Sequence, residues 1–150
     1  MKNILLFSAA AAMWLFLFSG ALPVKTAGPA FSPDSSGYTI SNCVNEFQPA
    51  RVESTMAGYQ YWFADRKFAD GKTVKLSVVR PREATHAPHR HAEDEFFFVL
   101  QGKAEFYLDG RTKVVGPYTN LYCPSNVEHG IRNAGDTELR YLVIKKYETQ

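Results

Sequence analysis

The sequence predicts an all-β domain, a sandwich or barrel of short antiparallel strands, and three observations lead there. Aromatic residues make up 14% of the chain, a bias toward side chains that pack well on a pleated surface. Turn signals recur at close spacing, at Asp70-Gly71, Gly102-Lys103 and Asp109-Gly110, and such dipeptides between short apolar runs mark hairpins. No stretch beyond the first 21 residues carries a convincing helical period. With 45% hydrophobic and 21% charged residues in a chain of 150, the composition suits one packed domain.

The elements follow in order. Tyr38-Thr39-Ile40 reads as a short strand and Ala57 to Asp65 as an aromatic one. Thr73 to Arg80 is a strand with Val74, Leu76 and Val78 on one face and Lys75, Ser77 and Val79 on the other. Pro81 to Pro88 is a loop that delivers His89. Asp94 to Gln101 is a strand, Ala104 to Leu108 its return, and Arg111 to Val115 the next. Asn120 to Cys123 leads into Pro124 and a loop that carries His129. Glu138 to Lys146 closes the domain, which is expected over residues 38–150.

Ahead of the domain the chain has another character. Lys2 precedes an uncharged apolar run, Ile4 to Phe18, and Ser19-Gly20-Ala21 supplies small residues. This is the pattern of a secretory signal peptide over residues 1–21, with a second cleavage point after Ala30. The rival reading is an uncleaved anchor, because Asn3 to Val24 carries no charge and just reaches bilayer length. Residues 22–37, rich in Pro, Ala, Gly and Ser, read as a flexible arm. Either reading puts the domain outside the cytoplasm, in the periplasm or beyond the cell, with membrane contact only through an uncleaved N-terminus. The formal charge of +2, with no Lys/Arg run, P-loop or Gly-x-Gly-x-x-Gly element, gives nucleic acid and nucleotides no support as partners. Cys43 and Cys123 are an even pair in an exported chain, and so candidates for a disulfide; two separate buried thiols are the equal alternative.

The chemistry concentrates in two stretches. His89, His91 and Glu95 share parity along an extended chain and face one way if the strand continues. His129 adds a third imidazole, and three of the four histidines thus fall in these two stretches. Neutral imidazoles and a carboxylate suit one divalent transition metal, Fe, Mn, Ni, Co or Zn, with Fe or Mn favoured. Four protein ligands leave two of six octahedral positions open for water, dioxygen or a chelating substrate. Glu95, if it leaves the metal, and Glu93 are candidate bases, Glu93 being also a rim charge. His86 faces out by parity or stands at a pocket mouth. Phe97 and Val99 share the parity of Glu95 and are expected to line the pocket. Arg90 and Arg132 flank ligands and have the fork for a substrate carboxylate. Cys123 is placed close to the metal pocket.

The pattern H-x-H-x3-E-x6-G from His89 through Gly102, followed by Pro124, His129 and Asn133 at P-x4-H-x3-N spacing, resembles the two motifs of the cupin superfamily. The first motif falls at 83–102 and the second at 116–133. Three positions depart: Glu83 and Asn126 stand where the pattern has glycine, and Gly116 lies two residues too far upstream. The resemblance implies a cupin-type double-stranded β-helix, a jelly-roll barrel, with His89, His91, Glu95 and His129 on one metal. It further implies a small-molecule substrate and a homodimer. Similar small cupins include dioxygenases, decarboxylases, isomerases and sugar-acid enzymes. The expectation is a dioxygenase-like enzyme for a small oxygen-rich molecule, since the ligand set resembles that of the cupin dioxygenases and the inner strand is aromatic and aliphatic; the same ligand set also occurs in cupin decarboxylases. The alternatives are a non-redox lyase, isomerase or decarboxylase, and a non-catalytic metal- or ligand-binding protein.

Overall fold

The computed structural model describes residues 37–148, so the signal-peptide reading lies outside the described residues, as does all but the end of the arm. From Thr39 onward the chain forms one compact unit. Among the described residues nine strands make it up: β1 (Glu53–Thr55), β2 (Gly58–Ala69), β3 (Lys72–Val79), β4 (Glu95–Gln101), β5 (Ala104–Leu108), β6 (Arg111–Val115), β7 (Asn120–Cys123), β8 (His129–Asn133) and β9 (Leu139–Lys146). They form an antiparallel six-stranded sheet, β1-β2-β3-β9-β4-β7, and a three-stranded sheet, β6-β5-β8. This is an antiparallel β-sandwich of the jelly-roll kind, and the all-β expectation holds.

The predicted turns close as their chemistry requires. Asp70 and Gly71 take φ of 52° and 79°, and Asp109 and Gly110 take 44° and 78°, the paired positive values of a tight hairpin turn. Gly102 takes φ 88°, and a Cβ on it would stand 2.6 Å from the Glu138 carbonyl oxygen. Here both the backbone angle and the close approach of β9 require glycine.

Two expectations are corrected. Tyr38-Thr39-Ile40 is not a strand. Thr39 caps a single helical turn, α1 (Ile40–Cys43), its hydroxyl accepting from the Asn42 amide while the Asn42 side chain accepts from the Thr39 amide. That reciprocal box satisfies two otherwise orphaned donors and so outcompetes extension. The segment after Pro124 is also more than a loop: His129–Asn133 is strand β8, hydrogen-bonded to β5.

Burial divides into two layers. Phe97, Val99, Ala104, Leu121, Cys123, Ile131, Leu139, Tyr141 and Val143 fill the space between the sheets. Tyr61, Leu76 and Val78 form a second cluster, joined by Phe47, whose ring lies 4.9 Å from that of Tyr61. The Tyr61 hydroxyl donates to the Glu46 carbonyl at 2.8 Å and ties this segment down. On β3 the apolar face of Leu76 and Val78 therefore turns to this outer layer. The more polar face, with Lys75 and Ser77, looks into a cavity.

Candidate metal centre and its cavity

Each ligand candidate sits where an element begins or a short pairing holds it. Glu95 opens β4 and His129 opens β8. His89 is held against His129 by two reciprocal backbone hydrogen bonds of 3.0 Å. His91 is held by its carbonyl, which accepts from the Asn126 amide at 2.8 Å. Asn126 makes that turn at φ 60°, a conformation asparagine tolerates better than most residues. Tyr118, at the position where the second motif opens with glycine, also takes a positive φ of 59° and donates its amide to Val99.

One donor atom from each of His89, His91, Glu95 and His129 lies within 4.8 Å of every other. The three rings are oriented alike. Nδ1 of His89 is 3.2 Å from the Ala87 carbonyl, that of His91 is 2.6 Å from the Glu93 carbonyl, and that of His129 is 2.8 Å from the Val127 carbonyl. A carbonyl only accepts, so each Nδ1 carries a proton, and a ring in its neutral form presents a lone pair at Nε2. Glu95 Oε1 then stands 3.1 Å from His129 Nε2 and 3.5 Å from His91 Nε2. His91 Nε2 is buried with no hydrogen-bond partner. Lone pairs converging on a carboxylate repel one another unless a cation lies among them. The residues present therefore fit a divalent ion held by three imidazole nitrogens and one carboxylate oxygen.

Beside these ligands opens a cavity of about 330 Å³. Of β4, only Glu95 and Phe97 reach it. Val99, fully buried, packs in the core instead, because the strand runs away from the cavity toward Gly102. Three further expectations are corrected. Glu93 does not enter the cavity: the turn at Ala92 to Asp94 breaks the strand parity, and its carboxylate pairs with Lys145 at 3.4 Å and lies 3.6 Å from His91 Nδ1, on the far side of that ring. Its own backbone amide, and then Lys145, hold its pKa below the usual glutamate value. Arg90 is exposed and does not line the cavity. Cys123 is the cross-strand neighbour of Glu95, yet its side chain is closed into the core, where burial pushes the thiol pKa far up. Cys43 is exposed beside α1, so the two cysteines stand in different surroundings and are both free thiols.

Arg132 pairs with Glu105 outside the metal cavity. His86 does line it, its pKa lowered first by burial and then by His89. Asn133, fully buried, donates to the carbonyls of Val79, Arg80 and Thr137 and accepts from the Gly135 amide. It fastens the chain that leads to His89.

The remaining wall was missed from the sequence. It comes from Thr55, Gln60, Lys75, Ser77, Tyr141 and Lys145. A lysine centred in an otherwise apolar strand (Val74-Lys75-Leu76) was the one available signal. Lys145 is nearly buried and bridges Glu93 and the second oxygen of Glu95, at 3.4 and 4.0 Å.

This combination of an antiparallel jelly roll and a three-histidine, one-glutamate cluster that could hold a metal ion has the form of a cupin barrel. Residues 75–145, just under half of the chain, match the family model described as "Cupin domain", and this stretch is a cupin domain. Among curated proteins it is similar to the polyketide synthase CurC of Streptomyces cyaneus, 34% identical over 67 residues, which is 45% of this chain and 44% of that protein. It is also similar to the dimethylsulfoniopropionate lyase DddQ of Ruegeria pomeroyi, 30% identical over 66 residues, 43% of this chain and 33% of that one. The chain thus spans less than half the length of these relatives. Among solved structures, the polyketide cyclase RemF of Streptomyces resistomycificus superposes with a TM-score of 0.57 at 21% identity, covering 69% of this chain and 79% of that chain.

Proposed function

We propose that this cupin is a metal-dependent enzyme that binds a small oxyanionic substrate at the metal and works by polar acid–base chemistry, as a lyase, decarboxylase or cyclase does. The observation that carries the reading is the set of three Nε2 lone pairs and Glu95 facing one point at the end of an accessible cavity whose walls carry two lysines. A cation-lined cavity suits a substrate that bears negative charge, which a purely structural metal would not need. The preference for a dioxygenase rested on the ligand set and on an apolar inner strand, and the second premise weakens when only Phe97 of its apolar residues reaches the cavity. The ligand set itself still favours an oxygen-dependent reaction as the second reading. The similarity to CurC and DddQ supports the non-redox side. Export through residues 1–21 and pairing of two copies belong to the same proposal, resting on the apolar run Ile4 to Phe18 and on the family resemblance.

A divalent ion in the site would supply Lewis acidity toward a substrate oxygen. The chain's own groups divide the remaining work. Lys145 holds one oxygen of Glu95, leaving the other turned to the imidazoles. Tyr141 lies on the cavity wall, its phenol kept protonated by burial with the hydroxyls of Thr85 and Ser77 beside it, and can donate to a substrate oxygen. Glu95 is the carboxylate that can take a proton once it leaves the metal.

The full chain and its His91→Ala/His129→Ala variant, purified without chelator, are to be compared by elemental analysis and then by turnover of β-keto and 2-oxo acids with and without oxygen. About one transition metal per chain, lost in the variant, is expected, with anaerobic turnover. Turnover that requires oxygen would favour the second reading, and absence of metal from both proteins would overturn the proposal.

A further inference from the structure

The cavity has a second end. Four strands of the six-stranded sheet form its floor: β4 contributes Glu95, β9 Lys145, β3 Lys75 and Ser77, and β2 Gln60, while Thr55 at the end of β1 closes the far side. Neighbouring strands are about 4.8 Å apart, and Lys75 lies across two of them in line with Phe97, two residues beyond Glu95, so roughly 12 Å of backbone separates it from Glu95. The two lysines differ. Lys145 is paired with Glu93 and Glu95. Lys75 forms no ion pair among the described residues, and its ammonium rests 5.1 Å from the centre of the Trp62 ring. Glu53, the nearest acidic group on β1, is occupied by the amide of Gln60 at 2.7 Å and the indole of Trp62 at 3.2 Å. The Thr55 hydroxyl, on the same wall, is buried without a hydrogen-bond partner. An unpaired ammonium and an unpartnered hydroxyl in one partly desolvated wall each leave an interaction unmade, and a buried polar group left so is costly.

From this we infer that Lys75 and Thr55 form an anion-holding subsite, and that the substrate is a two-ended acid: one end chelates the metal, and a second carboxylate lies against Lys75 and Thr55. The inference rests on the proposed metal-binding reading and narrows its substrate class. Burial lowers the Lys75 pKa from the usual lysine value, with Glu95 acting against it, and a bound carboxylate would restore what burial removes. Phe97 and Val143 line the same cavity and suit the apolar spacer between the two ends.

The test uses the full chain loaded with cobalt and two probes of equal length, 2-oxohexanoate and 2-oxoadipate, which differ only in the terminal carboxylate. Calorimetry is expected to give 2-oxoadipate an affinity about ten-fold higher or more. K75M, which keeps the stem but removes the charge, should abolish that preference. T55V, a near-isosteric substitution, should reduce the preference several-fold and tests the subsite even if K75M fails to fold. Equal affinity of the two acids for the unmodified protein overturns the inference while leaving the metal-centred reading intact, as does a preference that survives K75M. Binding of neither acid to cobalt-loaded protein overturns both.

Discussion

Asn133 satisfies three backbone carbonyls with one amide, and it does so fully buried. Replacing it with alanine strands those acceptors and opens a small void. Asn133→Ala is therefore expected to destabilise the domain by about 3 kcal/mol, read as a lower urea midpoint at unchanged slope, and to weaken metal retention because the loop to His89 loosens. The same scale explains why the ligands were legible and their supports were not. His89, His91 and Glu95 announce themselves through short-range parity, and His129 through its distance from Pro124. The carbonyls that fix the rings belong to Ala87, Glu93 and Val127, residues whose side chains carry no hint of the role. Glu93 matters here through its backbone oxygen, whereas its side chain drew the attention.

Among the elements, the β4–β5 hairpin is the most tightly specified. Gly102 turns the chain at φ 88° directly against the backbone of β9. A methyl group there meets a carbonyl oxygen that cannot step aside without breaking the β4–β9 ladder. Gly102→Ala should cost more than about 2 kcal/mol, and the loss should appear as a fall in thermal midpoint. Strand positions were legible throughout β3 to β7 and β9, since alternation and turn dipeptides are local signals. Strand β8 was not, because His129-Gly130-Ile131-Arg132-Asn133 is short, carries a glycine and has one neighbouring strand, β5, among the described residues. The helical turn at Ile40 was hidden for a similar reason: a capping box of Thr39 and Asn42 leaves no period to detect.

For the molecule as a whole, the interior holds two acids that must remain protonated. Burial raises the pKa of Cys123 and of Tyr141 above their ordinary values. In the unfolded chain these groups ionise near pH 8.5 and 10 respectively. Their contribution is thus complete below those values and is lost as pH rises through the folded pKa values, because the unfolded state alone sheds the proton. Unfolding free energy should fall above about pH 8.5 by on the order of 1 kcal/mol per pH unit, measured by urea titration from pH 7 to 10. Cys123→Ala should flatten the first part of that decline. Which face of β3 looks inward was not readable from alternation. Leu76 and Val78 form the more apolar face, yet residues 46–61 supply a second layer to cover it, and the polar face is left to the cavity. Inside and outside were decided by a partner segment distant in sequence.

The family match begins at residue 75, whereas Thr55 and Gln60 lie before it. The cavity is accordingly a composite: its metal-proximal half is built from the matched module, and its distal half includes a hairpin that precedes that module. Such a division makes the hairpin over 53–64 a separable cassette. Grafted onto another barrel of this superfamily, it should bring Thr55 and Gln60 with it, and the ligand preference should follow only where the host presents a lysine at the place of Lys75.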